Sequence, residues 1–260
     1  MTLTREMKGA GLVEDPVCGA LTYKKFGNTV AIELTAQTQG GALPDHTAAD
    51  LAELCNRIAS DERVRVVVLG FNGRIGNPGL PRQVQCGSLV EPVAQLKQPV
   101  IAAIGGDATG LGLELALACD IRIGEKNARF GLPQVREGQM PCHGGTQRLP
   151  RLIGCSKAME MILTGETIDA EEALRCGLIH RVFPPDALMK AALDLAGDMA
   201  EQSPLSLSYA KEALNKGLDL TLDQGISAEL DLYLLLFSTS DRTEGITAFK
   251  EKRKPKFEGA

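Results

Sequence analysis

Short, almost entirely apolar segments alternate with segments of helical periodicity, and this alternation constrains the fold more than any other feature. Val64–Leu69 and Val100–Ile104 have the composition of strands that are covered on both faces of a sheet. A third predicted strand, Asn28–Leu34, comes before a predicted helix, Thr47–Ser60, whose apolar residues recur at i, i+3, i+4 and i+7. Strands separated by helices predict β-α-β crossovers and a mixed or parallel sheet.

The second half of the chain has a different pattern. A short strand, Asp120–Gly124, follows a predicted helix over Leu113–Cys119, and beyond about residue 155 the pattern predicts helices only. We therefore expect an α/β core over residues 1–190 and a helical region over residues 191–260. The helices predicted after residue 155 are Ser156–Leu163, Asp169–Cys176, Asp186–Gln202, Leu205–Lys216 and Leu220–Phe237.

Charge and hydropathy exclude several kinds of partner. The 260 residues carry 28 Lys and Arg against 33 Asp and Glu, which gives a net charge of −5. This mild acidity disfavours nucleic acid or an anionic membrane as the main partner. No apolar run approaches the roughly 20 residues that span a bilayer, and the N-terminus has no apolar signal core. We expect a cytoplasmic protein.

The metal-binding and disulfide-forming residues are scattered. Seven cysteines at positions 18, 55, 86, 119, 142, 155 and 176 include no CxxC pair, and their number is odd. This disfavours a disulfide framework or a zinc ribbon, and reduced thiols in a cytoplasm fit better. None of the three histidines lies at metal-ligand spacing from another, so we expect no metal.

The most informative segment is Ile101–Asp120, in which an apolar strand runs into a glycine-rich turn and then into a helix. Such glycines let the backbone approach a ligand, and the N–H groups of a helix N-terminus can bind an anion or oxyanion. The third glycine of a dinucleotide fingerprint is absent, which disfavours a Rossmann site. Gly70–Gly79 follows another strand, and two such turns can aim two N–H donors at one oxygen.

Glu114 is the candidate acid/base within this segment, because its neighbours in the helix are leucines and alanines. Burial among them raises the pKa of a carboxyl group toward the range that is useful for proton transfer. The alternative interpretation is a glutamate on the one solvated face of the helix.

A long loop over Phe130–Leu149 is rich in glycine and proline and has no periodicity, which is typical of a functional loop. It contains the adjacent pair Cys142 and His143. A cysteine nucleophile needs a base that it reaches in space, and adjacent side chains usually point apart. A buried thiol beside a loop histidine is the alternative to a catalytic dyad.

The basic C-terminal segment, EKRKPKF, also has two interpretations. It is either a solvated end of the chain or a contact to phosphate groups.

Several segments together resemble the crotonase, or enoyl-CoA hydratase/isomerase, superfamily from about residue 28 to residue 257. The most specific are PVIAAI, ATGLGLELALACDIRI, ARFGLP, GGTQRLPRLIG, LTGETIDAEEALRCGLIHRVFP and EGITAFKEKRKPKF. The resemblance implies an α/β spiral of β-β-α repeats followed by a helical C-terminal trimerisation region. It also implies acyl-CoA substrates, homotrimers or hexamers built as dimers of trimers, and no cofactor beyond the coenzyme A of the substrate.

The resemblance assigns the reaction centre residue by residue. The two oxyanion-hole N–H groups fall on Leu80 and Leu111, where the family commonly has smaller residues. The first catalytic glutamate of the family's hydratases matches Glu114, whereas the second falls on Gln134. A glutamine orients water through its amide but does not exchange a proton at useful pH.

Other site residues also follow from the resemblance. Pro78, Phe249 and Lys252 match coenzyme A contacts, and Cys142 falls near the site where hydratases hold the attacking water. With Gln134 in place of the second glutamate, the candidate proton carriers besides Glu114 are Asp107, Cys142 and His143.

Three functions remain open at this point. The first is hydration of an unusual or conjugated enoyl-CoA by Glu114, for which the altered acyl loop Leu80–Glu91 is the motive. The second is another reaction of the superfamily: double-bond isomerisation, thioester hydrolysis or decarboxylation. The third is a coenzyme A binder without catalytic activity.

Overall fold

A seven-stranded sheet forms the centre of the molecule. The computed structural model describes residues 14–18, 20–36, 41, 43–44, 46–76 and 89–260. The strands of this sheet are β1 (Glu14–Cys18), β2 (Leu21–Phe26), β3 (Thr29–Thr35), β4 (Val66–Asn72), β5 (Val100–Gly105), β7 (Ile121–Glu125) and β10 (Arg181–Phe183). They lie in the order β1-β2-β3-β4-β5-β7-β10. The first three pair antiparallel, and β3, β4, β5, β7 and β10 are parallel to one another.

A second, three-stranded sheet lies at the carboxyl end of β5. Its strands are β6 (Ala108–Thr109), β8 (Arg129–Gly131) and β9 (Thr167–Asp169), in the order β6-β8-β9. Because β6 comes directly after β5 and directly before a helix, this sheet fixes the point at which that helix begins.

Helices make up most of the remaining described chain. They are α1 (Thr47–Ser60), α2 (Glu91–Ala94), α3 (Leu111–Leu117), α4 (Gly145–Ile153), α5 (Cys155–Thr164), α6 (Ala170–Arg175), α7 (Pro185–Ala200), α8 (Pro204–Gly217), α9 (Leu222–Leu235) and α10 (Ser240–Glu251). Two 3₁₀ helices span Pro133–Glu137 and Leu236–Ser238. No helix of the described ranges is both long and apolar enough to cross a bilayer.

The central strands are buried on both faces, as their apolar composition predicts. Val67 and Leu69 of β4 face the main core, whereas Val66 and Val68 face a second core formed with α7. Each face of the sheet therefore has its own helical layer. The predicted α/β core is confirmed, as is the helical C-terminal region.

The prediction that strands end at about residue 155 is wrong. Both β9 and β10 lie beyond that point, and β10 extends the main sheet by pairing with β7. Strands of three residues are too short to show a period of two. The predicted division at residue 190 lies inside α7, whose residues Leu188 and Ala192 pack against the sheet.

Close backbone contacts connect the segments that follow β4 and β5. A Cβ atom on Gly106 would lie 2.4 Å from the carbonyl carbon of Gly73, and one on Gly112 would lie 2.3 Å from the carbonyl oxygen of Ile75. The Thr109 N–H also donates to the Ile75 carbonyl oxygen, at 3.0 Å. Both positions need glycine, because any side chain would push the two segments apart.

We predict that Gly112→Ala destabilises the protein by about 1–3 kcal/mol, because its methyl group would overlap the Ile75 carbonyl oxygen. Gly197→Ala is the matched control, since an added Cβ meets no atom within 4 Å at this exposed position of α7. It should stabilise the protein by about 0.5–1 kcal/mol. Urea unfolding of the two variants measures both values. Equal stability of the two variants would contradict the packing described here.

Candidate active site

Glu114 is a buried carboxylate in the first turn of α3. Glu114 is only 1% exposed, so the alternative interpretation of a glutamate on a solvated helix face is wrong. Oε1 accepts hydrogen bonds from the backbone N–H groups of His143, at 2.7 Å, and Gly145, at 2.9 Å. Oε2 accepts one from the Gln134 side-chain amide, at 3.2 Å. Three donors from two separate segments therefore hold one carboxylate.

The environment of Glu114 shifts the pKa of its carboxyl group upward. Burial raises the pKa of this carboxyl group above its ordinary value of 4.5. The backbone N–H groups of Gly145 and His143, the charge of Arg148 and the Gln134 amide oppose this effect, but burial dominates. A carboxyl group with a raised pKa is suited to give and take a proton near neutral pH.

A glycine pair positions the turn that contacts Glu114. Gly144 comes directly before α4 and has a φ of 95°, a left-handed conformation that L side chains rarely adopt. A Cβ atom on Gly145 would lie 3.0 Å from Glu114 Oε1 and 2.9 Å from a methyl group of Leu132. Glycine at 145 therefore lets this N–H reach the carboxylate. The sequence analysis did not assign Gly145 a role at the site. The signal that could have found it is the Gly144-Gly145 pair directly before a helix.

Gln134 lies on the 3₁₀ helix Pro133–Glu137 and is 3% exposed. Its amide nitrogen donates to Glu114, and its Oε1 has no hydrogen-bond partner among the residues that the structure describes. A buried acceptor without a partner costs about 1–3 kcal/mol. This oxygen can therefore accept a hydrogen bond from an O–H group of a bound molecule.

Leu111 is the first residue of α3, so its N–H has no acceptor within the helix. The preceding Gly110 has a φ of 55°, and its own N–H donates to the Gly131 carbonyl oxygen at 2.9 Å, which anchors the helix start to β8. The predicted second donor, Leu80, lies outside the described residues, as does Pro78. Ile75 lies just before the residues that are not described, and it packs against Gly112 of α3.

Cys142 and His143 line a cleft of about 950 Å³, and the His143 N–H is one of the donors to Glu114. His143 is 5% exposed, and burial lowers the pKa of its imidazole, which favours the neutral form. Arg148, which the sequence analysis did not single out, donates to the His143 carbonyl oxygen at 3.0 Å. The turn that holds Glu114 is thus fixed from a second side by a guanidinium group of α4.

Three other predicted residues lie elsewhere. Asp107 accepts a hydrogen bond from the Arg129 N–H, at 3.0 Å, and so connects β5 to β8. Phe249 on α10 is 85% exposed, and Lys252 follows that helix in a left-handed conformation with a φ of 55°. Within the described residues, none of the three is hydrogen-bonded to Glu114, and none lines the cleft.

The described ranges contain no group of three or more His, Cys, Asp and Glu side chains that could hold a metal ion. What they do contain is a buried carboxylate one helical turn from a free helix N-terminus. A buried carboxylate and backbone N–H donors at this spacing are the groups that an α/β enzyme needs to move a proton next to a carbonyl group.

Comparison with known proteins agrees with this class. Residues 81–260 match the family model described as enoyl-CoA hydratase/isomerase. The (E)-benzylidenesuccinyl-CoA hydratase of Thauera aromatica is 41% identical over 254 residues, which cover 92% of this chain and 99% of that protein. The crystal structure of an enoyl-CoA hydratase from Bacillus anthracis superposes with a TM-score of 0.89 at 36% identity and covers 93% of this chain and 100% of that one.

A further relative, the 2,3-dehydroadipyl-CoA hydratase of Escherichia coli (strain K12), is 49% identical over 162 residues. That match covers 62% of this chain and 64% of the relative. The chain belongs to the enoyl-CoA hydratase/isomerase family.

We predict that the stability difference between the wild type and Glu114→Gln depends on pH. Because the pKa of Glu114 is raised in the folded state, the stability that the protonated group contributes is complete below about pH 4.5 and is lost as pH rises through the folded pKa. The variant has no such titration, so it should gain stability relative to the wild type toward pH 8. Urea unfolding across this range measures the difference, and a constant difference would contradict a raised pKa.

Proposed function

We propose that this protein hydrates the carbon–carbon double bond of a conjugated enoyl-CoA, with Glu114 as the acid/base. The observation that carries the proposal is the buried Glu114 carboxylate, held by three donors directly beside the N-terminus of α3. Membership of the enoyl-CoA hydratase/isomerase family supports the same reaction.

The thioester oxygen binds at the start of α3. In this proposal the Leu111 N–H donates to that oxygen, and the Leu80 N–H is the second donor. Residues i and i+3 of a helix lie about 5–6 Å apart on one face, so Glu114 is within reach of the carbons next to a thioester held at Leu111. Negative charge that develops on the oxygen as water attacks is stabilised by these donors and by the helix N-terminus.

Glu114 is the group that exchanges protons. The water oxygen forms a bond to the β-carbon while one water proton passes to the carboxylate, and the electron pair of the double bond moves toward the thioester oxygen. Glu114 then returns the proton to the α-carbon, so that one water molecule is added in total. Because the Gln134 amide has no proton to exchange, its Oε1 accepts a hydrogen bond from the attacking water. No step requires a cofactor beyond the coenzyme A of the substrate.

The names of two relatives suggest which acyl groups to test. Dehydroadipyl and benzylidenesuccinyl groups both derive from dicarboxylic acids. Conjugated acyl groups with a second carboxylate, together with the cyclic dienoyl groups that motivated the hypothesis above, are therefore the first substrates to compare with straight-chain enoyl groups.

We predict that Glu114→Gln lowers kcat for hydration about 10²–10⁴-fold, because it removes the only carboxyl group that contacts the reacting carbons in this proposal. The assay is mass spectrometry of a panel of enoyl-CoA thioesters, in which addition of water appears as a gain of 18 Da. Formation of an isomer, a free acid or carbon dioxide instead would identify another reaction of the family. Bound coenzyme A without turnover would identify a binder.

Gln134→Glu is the companion variant. It places a second proton-exchanging group at 3.2 Å from Glu114 and should restore the two-carboxylate arrangement of the family's hydratases. We expect faster hydration of a simple substrate such as crotonyl-CoA. Unchanged rates in this variant together with full activity of Glu114→Gln would rule out the proposed roles of both residues.

We also propose that the protein assembles as a homotrimer, or as a hexamer of two trimers, through its C-terminal helices. These helices expose large apolar side chains, with exposures of 75% at Leu218, 79% at Leu222 and 54% at Leu230. Large exposed apolar side chains that come together in one patch are typical of protein–protein interfaces. Because Phe249 and Lys252 lie away from Glu114 of the same chain, we propose that they contact coenzyme A bound to a neighbouring copy.

We predict that Leu222→Glu shifts the protein toward a monomer of 27.7 kDa in light scattering after size-exclusion chromatography. A charge at this position would have to be buried in the interface without a partner. Leu222→Met keeps an apolar side chain and should preserve the oligomer. A monomeric wild type would contradict the proposed assembly.

A further inference from the structure

The N-terminus of α4 points at the Glu114 carboxylate. Gly145 is the first residue of α4, and its N–H donates to Glu114 Oε1 at 2.9 Å. The N–H groups in the first turn of a helix have no acceptor within the helix, and the helix dipole places partial positive charge at this end. The start of this nine-residue helix therefore favours a negative charge on Glu114.

Arg148 lies in the first turn of α4 and contacts the chain just before that helix. Its Nη1 donates to the His143 carbonyl oxygen at 3.0 Å, and its backbone N–H donates to the Gly144 carbonyl oxygen at 2.8 Å. Side chains of a helix lean toward its N-terminus, which brings the guanidinium group back over the preceding turn. The His143 carbonyl group lies between the N–H groups of residues 143 and 145 that donate to Glu114. One hydrogen bond from Arg148 therefore restrains both donors.

The guanidinium group of Arg148 packs directly against this turn. A Cβ atom on Gly144 would lie 2.2 Å from Arg148 Nη1 and 3.2 Å from its Cζ, so the guanidinium group fills the space of the missing side chain. Arg148 is half-buried, and a charge that is partly buried is screened less by solvent than an exposed one. This charge lowers the pKa of Glu114, against the larger and opposite effect of burial.

The other charged side chains around Arg148 have partners of their own. Three carboxylates line the same cleft, and each contacts another side chain: Glu91 the Gln95 amide at 2.9 Å, Asp120 the Lys211 ammonium group at 2.7 Å, and Asp219 the Arg151 guanidinium group at 3.8 Å. None of the three forms an ion pair with Arg148 in the described part of the chain. The remaining cation of the cleft, Arg122, donates to backbone carbonyl oxygens.

The elements that pack against the Glu114 carboxylate contribute few other titratable groups. The turn before α4 contains Cys142 and His143, and burial lowers the pKa of the His143 imidazole, which favours its neutral form. The charged side chains of the 3₁₀ helix that carries Gln134 are those of Arg136 and Glu137, which are both exposed. The half-buried cation beside the carboxylate is therefore the arginine of α4.

We infer that Arg148 is a positioning residue, which holds the turn at residues 143–145 and keeps Glu114 ionised, so that this carboxylate can accept a proton from water. The inference rests on the proposed function, in which Glu114 first takes a proton from the attacking water. Burial by itself disfavours the carboxylate form that a general base requires. The N-terminus of α4 and the charge of Arg148 both oppose this effect, and the same helix provides them.

Infrared titration of the full-length protein without substrate measures the ionisation of Glu114. Protonated and ionised carboxyl groups absorb at different frequencies, and the Glu114 band is the one that Glu114→Gln removes. Arg148→Gln keeps a donor for the His143 carbonyl oxygen but loses the charge, so we expect the midpoint of the Glu114 titration to move to higher pH. Arg148→Met, a second neutral variant, should shift it in the same direction. Arg148→Lys keeps the charge and should titrate close to the wild type.

Arg151→Gln is the matched control, because Arg151 is an exposed arginine of the same helix that donates to Gln147 and not to the 143–145 turn. It should leave the midpoint unchanged. A wild-type midpoint in both neutral variants of Arg148 would overturn the inference. An equal rise in Arg148→Gln and Arg148→Lys would overturn it too, since Arg148 would then only support the turn.

The pH dependence of kcat/KM for hydration is a second readout. Because the base must be ionised, kcat/KM of Arg148→Gln should fall about tenfold for each pH unit by which the midpoint rises, at pH values below both midpoints. The loss should disappear toward high pH, where Glu114 is ionised in both proteins. A loss that is equal at every pH would indicate a structural defect and contradict the inference.

The two proposals fail in different ways. If hydration depends on Glu114 but Arg148→Gln keeps the wild-type midpoint, hydration stands and the role of Arg148 is disproved. If the midpoints move as expected but no enoyl-CoA gains water, the action of Arg148 on Glu114 stands and hydration is disproved.

Discussion

The burial of one carboxylate organises the candidate site. Glu114 lies in a helix whose other residues pack into the core, and its charge is tolerated only because backbone N–H groups of residues 143 and 145 and the Gln134 amide reach it. These donors come from the loop that links β8 to α4. The three hydrogen bonds to Glu114 depend on the conformation of this loop. They also depend on the glycine pair before α4 and on the position of the 3₁₀ helix.

The parallel strands β4 and β5 provide the second constraint. Both end at the same edge of the sheet, where Gly106 and Gly112 let the segment after β4 pack directly against the segment after β5. The start of α3 is thereby fixed relative to the sheet, and α3 in turn sets the spacing between the Leu111 N–H and the Glu114 carboxylate. One short helix thus orders the proposed binding and chemical steps along its axis.

The replacement of the family's second glutamate by Gln134 changes how the site handles protons. A glutamine keeps a donor on Glu114 and leaves a buried oxygen without a partner among the described residues. In the proposed mechanism it leaves one carboxyl group to carry both proton transfers. Arg148 contributes a positive charge that favours the ionised form of Glu114.

The sequence by itself determined four strands of the main sheet, β3, β4, β5 and β7, and the identity of the buried acid. Continuous apolar runs specify strands covered on both faces, and a lone glutamate among leucines and alanines identified Glu114, because these signals are local. Only the tertiary structure decided the positions of β9 and β10, which are too short to show a period. It also decided what surrounds Glu114, because residues 143 and 145, which donate to it, are 29 and 31 positions away in the sequence. Contacts between residues so far apart in sequence depend on how the whole chain folds, and no local pattern encodes them.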